Sequence, residues 1–215
     1  MKKKIQIAID SPAASGAGTQ AKLISKHYKL FYLDTGKSYR ILANEFLKNK
    51  NEINLNKFKI KLNKSTMKDF LNKDLLTSEI GIVASNLAKK IKIRKIVDDF
   101  QKKIVKNIPR NYKGVCLDGR DITYNIMPNA DFKFYLTASL KIRALRRLKE
   151  LQKNRFNVSF NSVYQSIKKR DESDRNRKIA PLKIVKDAHL INTTNLTINE
   201  TLNKIKKIID GKNLT

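Results

Sequence analysis

Apolar residues come in short blocks that stop at polar or small residues, and the spacing inside the blocks changes along the chain. The run Ile5-Gln6-Ile7-Ala8-Ile9 ends at Asp10 and predicts a strand over 5–10. A helical pattern opens at Thr19 and continues to about His27. Leu30-Phe31-Tyr32-Leu33 predicts a second strand ending at Asp34, and Thr35-Gly36-Lys37-Ser38-Tyr39-Arg40 opens another helix. Residues 49–75 are rich in Asn and Lys with weak periodicity, and they read as a mobile insert. From Ser78 to about Val105 the period is helical, with Ile80, Val83, Ala84, Leu87 and Ala88 on one side and Ser85 and Arg94 among the polar positions. A break near 91–93 divides that stretch into two helices. Gly114–Asp118 and Phe132–Leu136 predict buried strands, and Ser139 caps a helix running to about Gln152. Ala188–Asn192 predicts a last strand, followed by an amphipathic helix from about Ile198 to Ile209. Strands alternating with helices through short connections favour a parallel sheet.

At 215 residues the chain suffices for one α/β domain with a substantial core and small inserted lobes. Lys and Arg total 47 against 19 Asp and Glu, a formal charge of +28. The excess is mostly Lys, spread along the whole chain beside many Asn and Ile. Two readings stay open, a solvated basic surface and a surface for polyanions, and either field attracts nucleotides. The single Cys116 excludes an intrachain disulfide framework and reads as a buried thiol in a reducing compartment. The basic start Met1-Lys2-Lys3-Lys4 precedes an apolar run too short for a secretory leader, and no stretch approaches the roughly 20 apolar residues of a membrane helix.

Between the first strand and the first helix lies Ser11-Pro12-Ala13-Ala14-Ser15-Gly16-Ala17-Gly18-Thr19. Strand, small-residue loop and helix are the layout of a phosphate-binding loop, where helix amides and the positive end of the dipole face an anion. Two of the usual residues differ: Ser11 stands for the first Gly and Ala17 for the phosphate-gripping Lys. The strand ending at Asp118 has the form of the second phosphate-site element, delivering a carboxylate to a magnesium shell. Arg120 and Asp121 follow at the strand edge where doubly wound sheets bind ligands. Arg143, Arg146, Arg147 and Lys149 fall largely outside the apolar stripe of their helix and read either as a solvated basic face or as a source of an Arg that reaches a phosphate. Arg170, Asp174 and Arg177 follow i, i+4, i+7 spacing and share a helix face. That face fits a clamp on phosphate and sugar, and equally a salt-bridged surface helix.

Ile9-Asp10-Ser11-Pro12-Ala13-Ala14-Ser15-Gly16, Leu33-Asp34-Thr35-Gly36-x-x-Tyr39-Arg40, Asp118-Gly119-Arg120-Asp121 and Arg170-Asp171-x-x-Asp174-Arg175-x-Arg177-x-x-Ala180-Pro181-Leu182, taken together and in this order, resemble bacterial cytidylate kinase. The resemblance implies a phosphate-loop nucleoside monophosphate kinase fold, with a parallel sheet flanked by helices, a small acceptor-binding insert and a lid. It places the core at about 1–48, 106–153 and 182–215, the acceptor region at about 35–105 and the lid at about 155–181. It implies magnesium-dependent phosphoryl transfer from ATP to CMP or dCMP by a cytoplasmic enzyme of pyrimidine nucleotide metabolism. ATP would lie on Ser11, Pro12, Ala13, Ala14, Ser15, Gly16, Ala17, Gly18 and Thr19, with Thr19 and Asp118 serving the metal. Thr35 and Arg40 would contact the acceptor, Arg40 on its phosphate, and Ser85 and Arg94 would address the cytosine. Arg120, Arg170 and Arg177 would surround phosphates and base, and Asp121 and Asp174 the acceptor's base or sugar. The expected partners are ATP and CMP or dCMP, with no membrane, no nucleic acid and a monomeric state.

The departures define the open questions. If position 11 needs a positive φ, a Ser there carries roughly 1 kcal/mol of strain or more. Thr123 and Tyr124 stand where the family usually has Gly and Thr. Losing the Lys at position 17 removes a cation from the phosphate path, and Lys37, where the family commonly has a small residue, offers one nearby in sequence. Lys37 therefore reads either as a catalytic cation on the donor or transferred phosphate, or as one more solvent-facing Lys. Two other classes stand beside the kinase: a catalytically weakened nucleotide-binding relative, and a nucleic-acid-binding protein whose affinity would fall steeply with salt.

Overall fold

A computed structural model describes residues 4–212, and Met1 to Lys3 lie outside the described residues. The chain divides into two compact units, Met1–Leu33 with Pro109–Thr215, and Asp34–Ile108.

The first unit is built on a five-stranded sheet. Its strands are β1 (Ile5–Asp10), β2 (Leu30–Asp34), β3 (Gly114–Gly119), β4 (Phe132–Thr137) and β5 (His189–Asn192), in the order β2-β3-β1-β4-β5. β1 pairs in parallel with β3 and with β4, and β4 with β5. The predicted strands are all present, and the apolar runs of β1, β3 and β4 are buried: Ile7, Ile9, Cys116, Phe134 and Leu136 lie in one core with Ala21 and Ile24 of α1 (Ala17–Tyr28), whereas the edge strand β5 buries only Ile191. The same core takes Ile205 and Ile209 of the C-terminal helix Ile198–Lys212. Burial pushes the Cys116 thiol well above its ordinary range, so it is an inert core residue. At Gly114 a Cβ would stand 2.0 Å from the Ile5 carbonyl oxygen, so the close approach of β1 and β3 there requires glycine.

The second unit is helical: α2 (Thr35–Lys48), α3 (Leu55–Lys64), α4 (Met67–Leu71), a 3-10 turn at Lys73–Leu76, α5 (Ser78–Leu87) and α6 (Ile91–Lys106). The expectation of a mobile insert over 49–75 is corrected here. Phe58 and Leu62, one helical turn apart, are each 1% exposed, while Asn56, Lys57, Lys59, Asn63 and Lys64 around them are exposed. Phe70 stacks on Phe100, with ring centroids 6.2 Å apart. Caps fix the short helices: the Asn54 side chain accepts from Lys57 N–H, and Thr66 and Asp69 form a capping box. The break between α5 and α6 falls one turn earlier than expected, at 88–90. It is stabilised by Arg94, whose Nε and Nη2 both donate to the Ala88 carbonyl.

The remaining helices of the first unit are α7 (Leu140–Lys153), α8 (Phe160–Asn176) and α9 (Ile198–Lys212). Ser139 accepts from Ile142 N–H at 3.4 Å, as its capping role predicts. No helix of the described residues is long and apolar enough to cross a membrane.

Candidate active site

In the first unit the strand order reverses beside β1, and the loop leaving β1 sits at that reversal, where open α/β sheets place their ligands. Helix α1 begins at Ala17, two residues earlier than expected, with Gly16 as its N-cap at φ 91°. The first-turn amides of Ala17, Gly18 and Thr19 have no intrahelical acceptor by construction and face the helix's anion-binding end. Ser11 is not in the left-handed region, so the strain expected there is absent. It sits at Ala14 instead, at φ 58°. The loop pattern marks only its first and last glycines, so nothing in the sequence flags Ala14 as the residue in the left-handed region. Ser15 is 2% exposed, and its hydroxyl has no hydrogen-bond partner among the described residues.

The loop is fastened at both ends. Ser11 N–H donates to the Gly119 carbonyl at 3.2 Å. Asp10, fully buried, accepts from Ile122 N–H, Thr123 N–H and the Thr123 hydroxyl at 2.8, 2.9 and 2.6 Å. Burial raises the Asp10 carboxyl from its ordinary 3.8 to about 6, against the opposing pull of those three donors. Thr123, a departure from the family pattern, is thus a ligand to Asp10. Tyr124, the other departure, donates its hydroxyl to the Pro181 carbonyl.

Asp118 ends β3 beside the start of α1. A Cβ at Gly18 would lie 3.5 Å from Asp118 Oδ2 and 3.5 Å from the Tyr32 hydroxyl, which itself donates to Asp118 Oδ1 at 2.8 Å. Thr19 follows, exposed at the helix end. A carboxylate and a hydroxyl are hard oxygen donors that suit magnesium, which keeps water and substrate phosphates as most of its ligands. The described residues hold no cluster of three or more His, Cys, Asp or Glu able to cage a metal by themselves, as such a substrate-shared site requires none.

Asp174 is the centre of an arginine cluster. Arg120 Nε lies 2.9 Å from its Oδ2, Arg170 Nε 4.0 Å from the same oxygen, and Arg177 Nη1 3.6 Å from Oδ1. Arg177 Nη2 also reaches Asp121 Oδ1 at 3.4 Å, and Asp121 accepts from Asn125 Nδ2. Burial works to raise the Asp174 carboxyl, but Arg120, Arg170 and Arg177 together hold it below the usual carboxylate range. The Arg120 charge, disfavoured by burial, is more than restored by Asp174. The structure therefore brings Arg120, Asp121, Arg170, Asp174 and Arg177 together, although Arg177 lies just past α8 as its extended C-cap and not on the helix face that the i, i+4, i+7 spacing predicts.

Arg143 and Arg146 correct the expectation of a solvated basic face on α7. Arg143 is 5% exposed and ion-pairs with Asp171. Arg146 donates to the Ser15 carbonyl at 3.3 Å and to the Thr193 hydroxyl and carbonyl at 2.9 and 2.7 Å. Both guanidiniums meet carbonyls of the loop 11–16. Asp171 stood in the quoted motif without a role, and no periodicity could have assigned one, because its partners are distant in sequence.

In the second unit, Thr35 opens α2 and is 5% exposed. Arg40 Nη1 donates to the Leu75 carbonyl at 2.5 Å, and Gly81 leaves room for the guanidinium, since a Cβ there would lie 3.1 Å from Arg40 Nη2. Ser85 sits half-buried on α5, and Arg94, 4% exposed, lies with its Cζ 5.6 Å from the Tyr39 ring centroid. Lys37 Nζ donates to the Phe70 carbonyl at 2.6 Å.

A parallel sheet whose central strand feeds a small-residue loop into a helix, with a carboxylate closing the neighbouring strand, defines a phosphate-loop α/β protein. The pattern of the cytidylate kinase family matches residues 7–211. The chain belongs to the cytidylate kinase family. It is 40% identical over 216 residues to the cytidylate kinase of Thermosipho melanesiensis, covering 96% of this chain and 97% of that one. The cytidylate kinase of Clostridium tetani is 37% identical over 224 residues, covering 97% and 95%. That of Bartonella tribocorum is 40% identical over 200 residues, covering 93% and 91%. An uncharacterised protein from Eubacterium ventriosum, solved by crystallography, shares the fold with a TM-score of 0.57 at 15% identity, covering 96% of this chain and 99% of that one.

Proposed function

We propose that this chain transfers the γ-phosphoryl group of ATP to CMP and dCMP as a cytoplasmic, monomeric enzyme of pyrimidine nucleotide metabolism. The observation that carries the reading is the Asp174 cluster: three arginines around one carboxylate, in the same unit as the loop 11–19. In-line transfer between two anionic nucleotides asks mainly for positioning and charge neutralisation. Arg120, Arg170 and Arg177 supply that charge, and Asp174 keeps their guanidiniums oriented while no phosphate is between them. Loop amides from Ala14 to Thr19 bind the donor phosphates. Thr35 and Arg40 bind the acceptor, Arg40 its phosphate, with Ser85 and Arg94 on the cytosine and Asp121 and Asp174 on base or sugar. Thr19 and Asp118 would hold magnesium, which would supply neutralisation of the charge that develops on the transferred phosphoryl group.

Lys37 is the proposed cation in place of the Lys that Ala17 replaces. Its bond to the Phe70 carbonyl would have to be exchanged for one to phosphate. Lys37→Ala is expected to lower turnover, and unchanged turnover would remove Lys37 from the catalytic set. The whole reading is tested by ADP release with CMP, dCMP, UMP and AMP as acceptors. Release faster with CMP and dCMP, and lost with EDTA, is expected. Equal rates with and without CMP would overturn the kinase.

A further inference from the structure

The donor loop is gripped from outside by two side chains that belong to neither its motif nor the arginine cluster. Ala13 N–H donates to Asp171 Oδ1 at 3.0 Å, and the Ala13 carbonyl accepts from Arg143 Nη1 at 2.9 Å. Arg143 Nη1 and Asp171 Oδ2 close the ring at 2.5 Å, and Arg143 Nε is held by the Ala138 carbonyl at 2.9 Å. Both flanks of one residue's backbone are thus taken by a buried ion pair, directly before Ala14, the residue in the left-handed conformation. A buried pair of this kind is weak evidence for stability, because desolvation offsets most of its attraction, so its value lies in the one conformation it enforces. The pair also spans elements: Arg143 belongs to α7, and Asp171 lies on α8 between Arg170 and Asp174.

We propose that Arg143 and Asp171 are positioning residues for phosphoryl transfer: they set the shape of the donor loop by anchoring the Ala13 backbone to α7 and α8, so that ATP binding depends on the pair while acceptor binding does not. Neither side chain touches nucleotide in this scheme. The loop needs such a brace because it lacks two devices for holding its shape: a glycine at position 14 that would take φ 58° without strain, and a Lys at 17 that would draw the loop onto phosphate. The inference rests on the reading that residues 11–19 receive the phosphates of ATP.

The test compares wild type with Asp171→Asn, Arg143→Lys and the double variant Arg143→Met with Asp171→Leu. Steady-state kinetics and binding of a fluorescent ATP analogue are both measured. Asp171→Asn is expected to raise KM for ATP at least tenfold while KM for CMP stays within twofold, with analogue binding weakened by the same factor as KM for ATP. The double variant replaces the pair by apolar groups, and it is expected to recover thermal stability without recovering ATP affinity, which separates positioning from folding. Arg143→Lys keeps the charge but loses the Nε bond to the Ala138 carbonyl that aims Nη1 at Ala13 and Asp171, so it is expected to fall between wild type and Asp171→Asn. Glu150→Gln, which breaks the exposed pair with Arg147 on the same helix, is expected to behave as wild type. KM values for ATP and CMP that rise together, or an ATP affinity restored along with stability in the double variant, would overturn the proposal. Should wild type bind the analogue but not phosphorylate CMP, the kinase reading fails while the binding comparison still decides the brace. Should wild type not bind it, the brace falls with the loop.

Discussion

Asp10 carries the sharpest consequence of any single residue. Its carboxyl is raised from 3.8 to about 6 chiefly by burial, with the Thr123 hydroxyl the largest opposing influence. Below about pH 3 the group is neutral in folded and unfolded chains alike, and its contribution to stability is fully present. As pH rises through 6 the native state acquires a buried anion and that contribution is lost. The stability of wild type relative to Asp10→Asn is therefore expected to fall by about 3 kcal/mol between about pH 3 and pH 7. Urea unfolding at stepped pH checks this, and parallel curves for the two proteins would contradict it. Thr123→Ala is expected to move the fall to higher pH. Thr123 shows why single residues resist reading from sequence. As a departure from a motif it looks like erosion, and only the fold shows its hydroxyl on Asp10, more than a hundred positions away. The same holds for Arg143, whose apparent place on a polar helix face conceals a partner on another helix.

At the scale of elements the sequence is far more informative. β1, β3 and β4 are apolar runs buried in the sheet, so their pattern and their environment agree. The helices with clear stripes follow for the same reason. What fails is the stretch 49–75, where Asn and Lys crowd the exposed face of α3 and leave only Phe58 and Leu62 to mark the buried one. Of four apolar residues in ten, Ile60 points outward and blurs the period, yet Phe58 and Leu62 are almost completely enclosed. Phe58→Ala is expected to cost roughly 3–5 kcal/mol. Thermal unfolding followed by circular dichroism measures it, and a change under about 1 kcal/mol would restore the picture of a mobile insert. The two arginines of the second unit show an intermediate case. The role expected of Arg40 follows from a quoted motif and that of Arg94 from the family resemblance alone, while their hydrogen bonds to the carbonyls of Leu75 and Ala88 follow from neither.

The charge of +28 belongs to the molecule as a whole, being spread over both units. Like charges at this density repel within the folded chain and attract anionic nucleotides from outside, and salt screens both effects. Raising NaCl from about 20 to about 200 mM is therefore expected to raise the thermal midpoint and to raise KM for both nucleotides, with kcat much less affected. Calorimetry and kinetics at matched salt series check the pair, and a midpoint that falls with salt would show that specific ion pairs outweigh the general repulsion. The central position of β1 has a consequence in time. Ile5 leaves the ribosome early, but its partner Gly114 lies more than a hundred positions downstream, and β4 lies further still. At about 5–20 residues per second, β1 waits on the order of 5 to 20 s for a neighbour. The contiguous helical unit 34–108 is fully synthesised before either neighbour emerges. During synthesis, then, the strand that launches the donor loop is an unpaired nascent segment, and the loop takes its shape only near the end of translation.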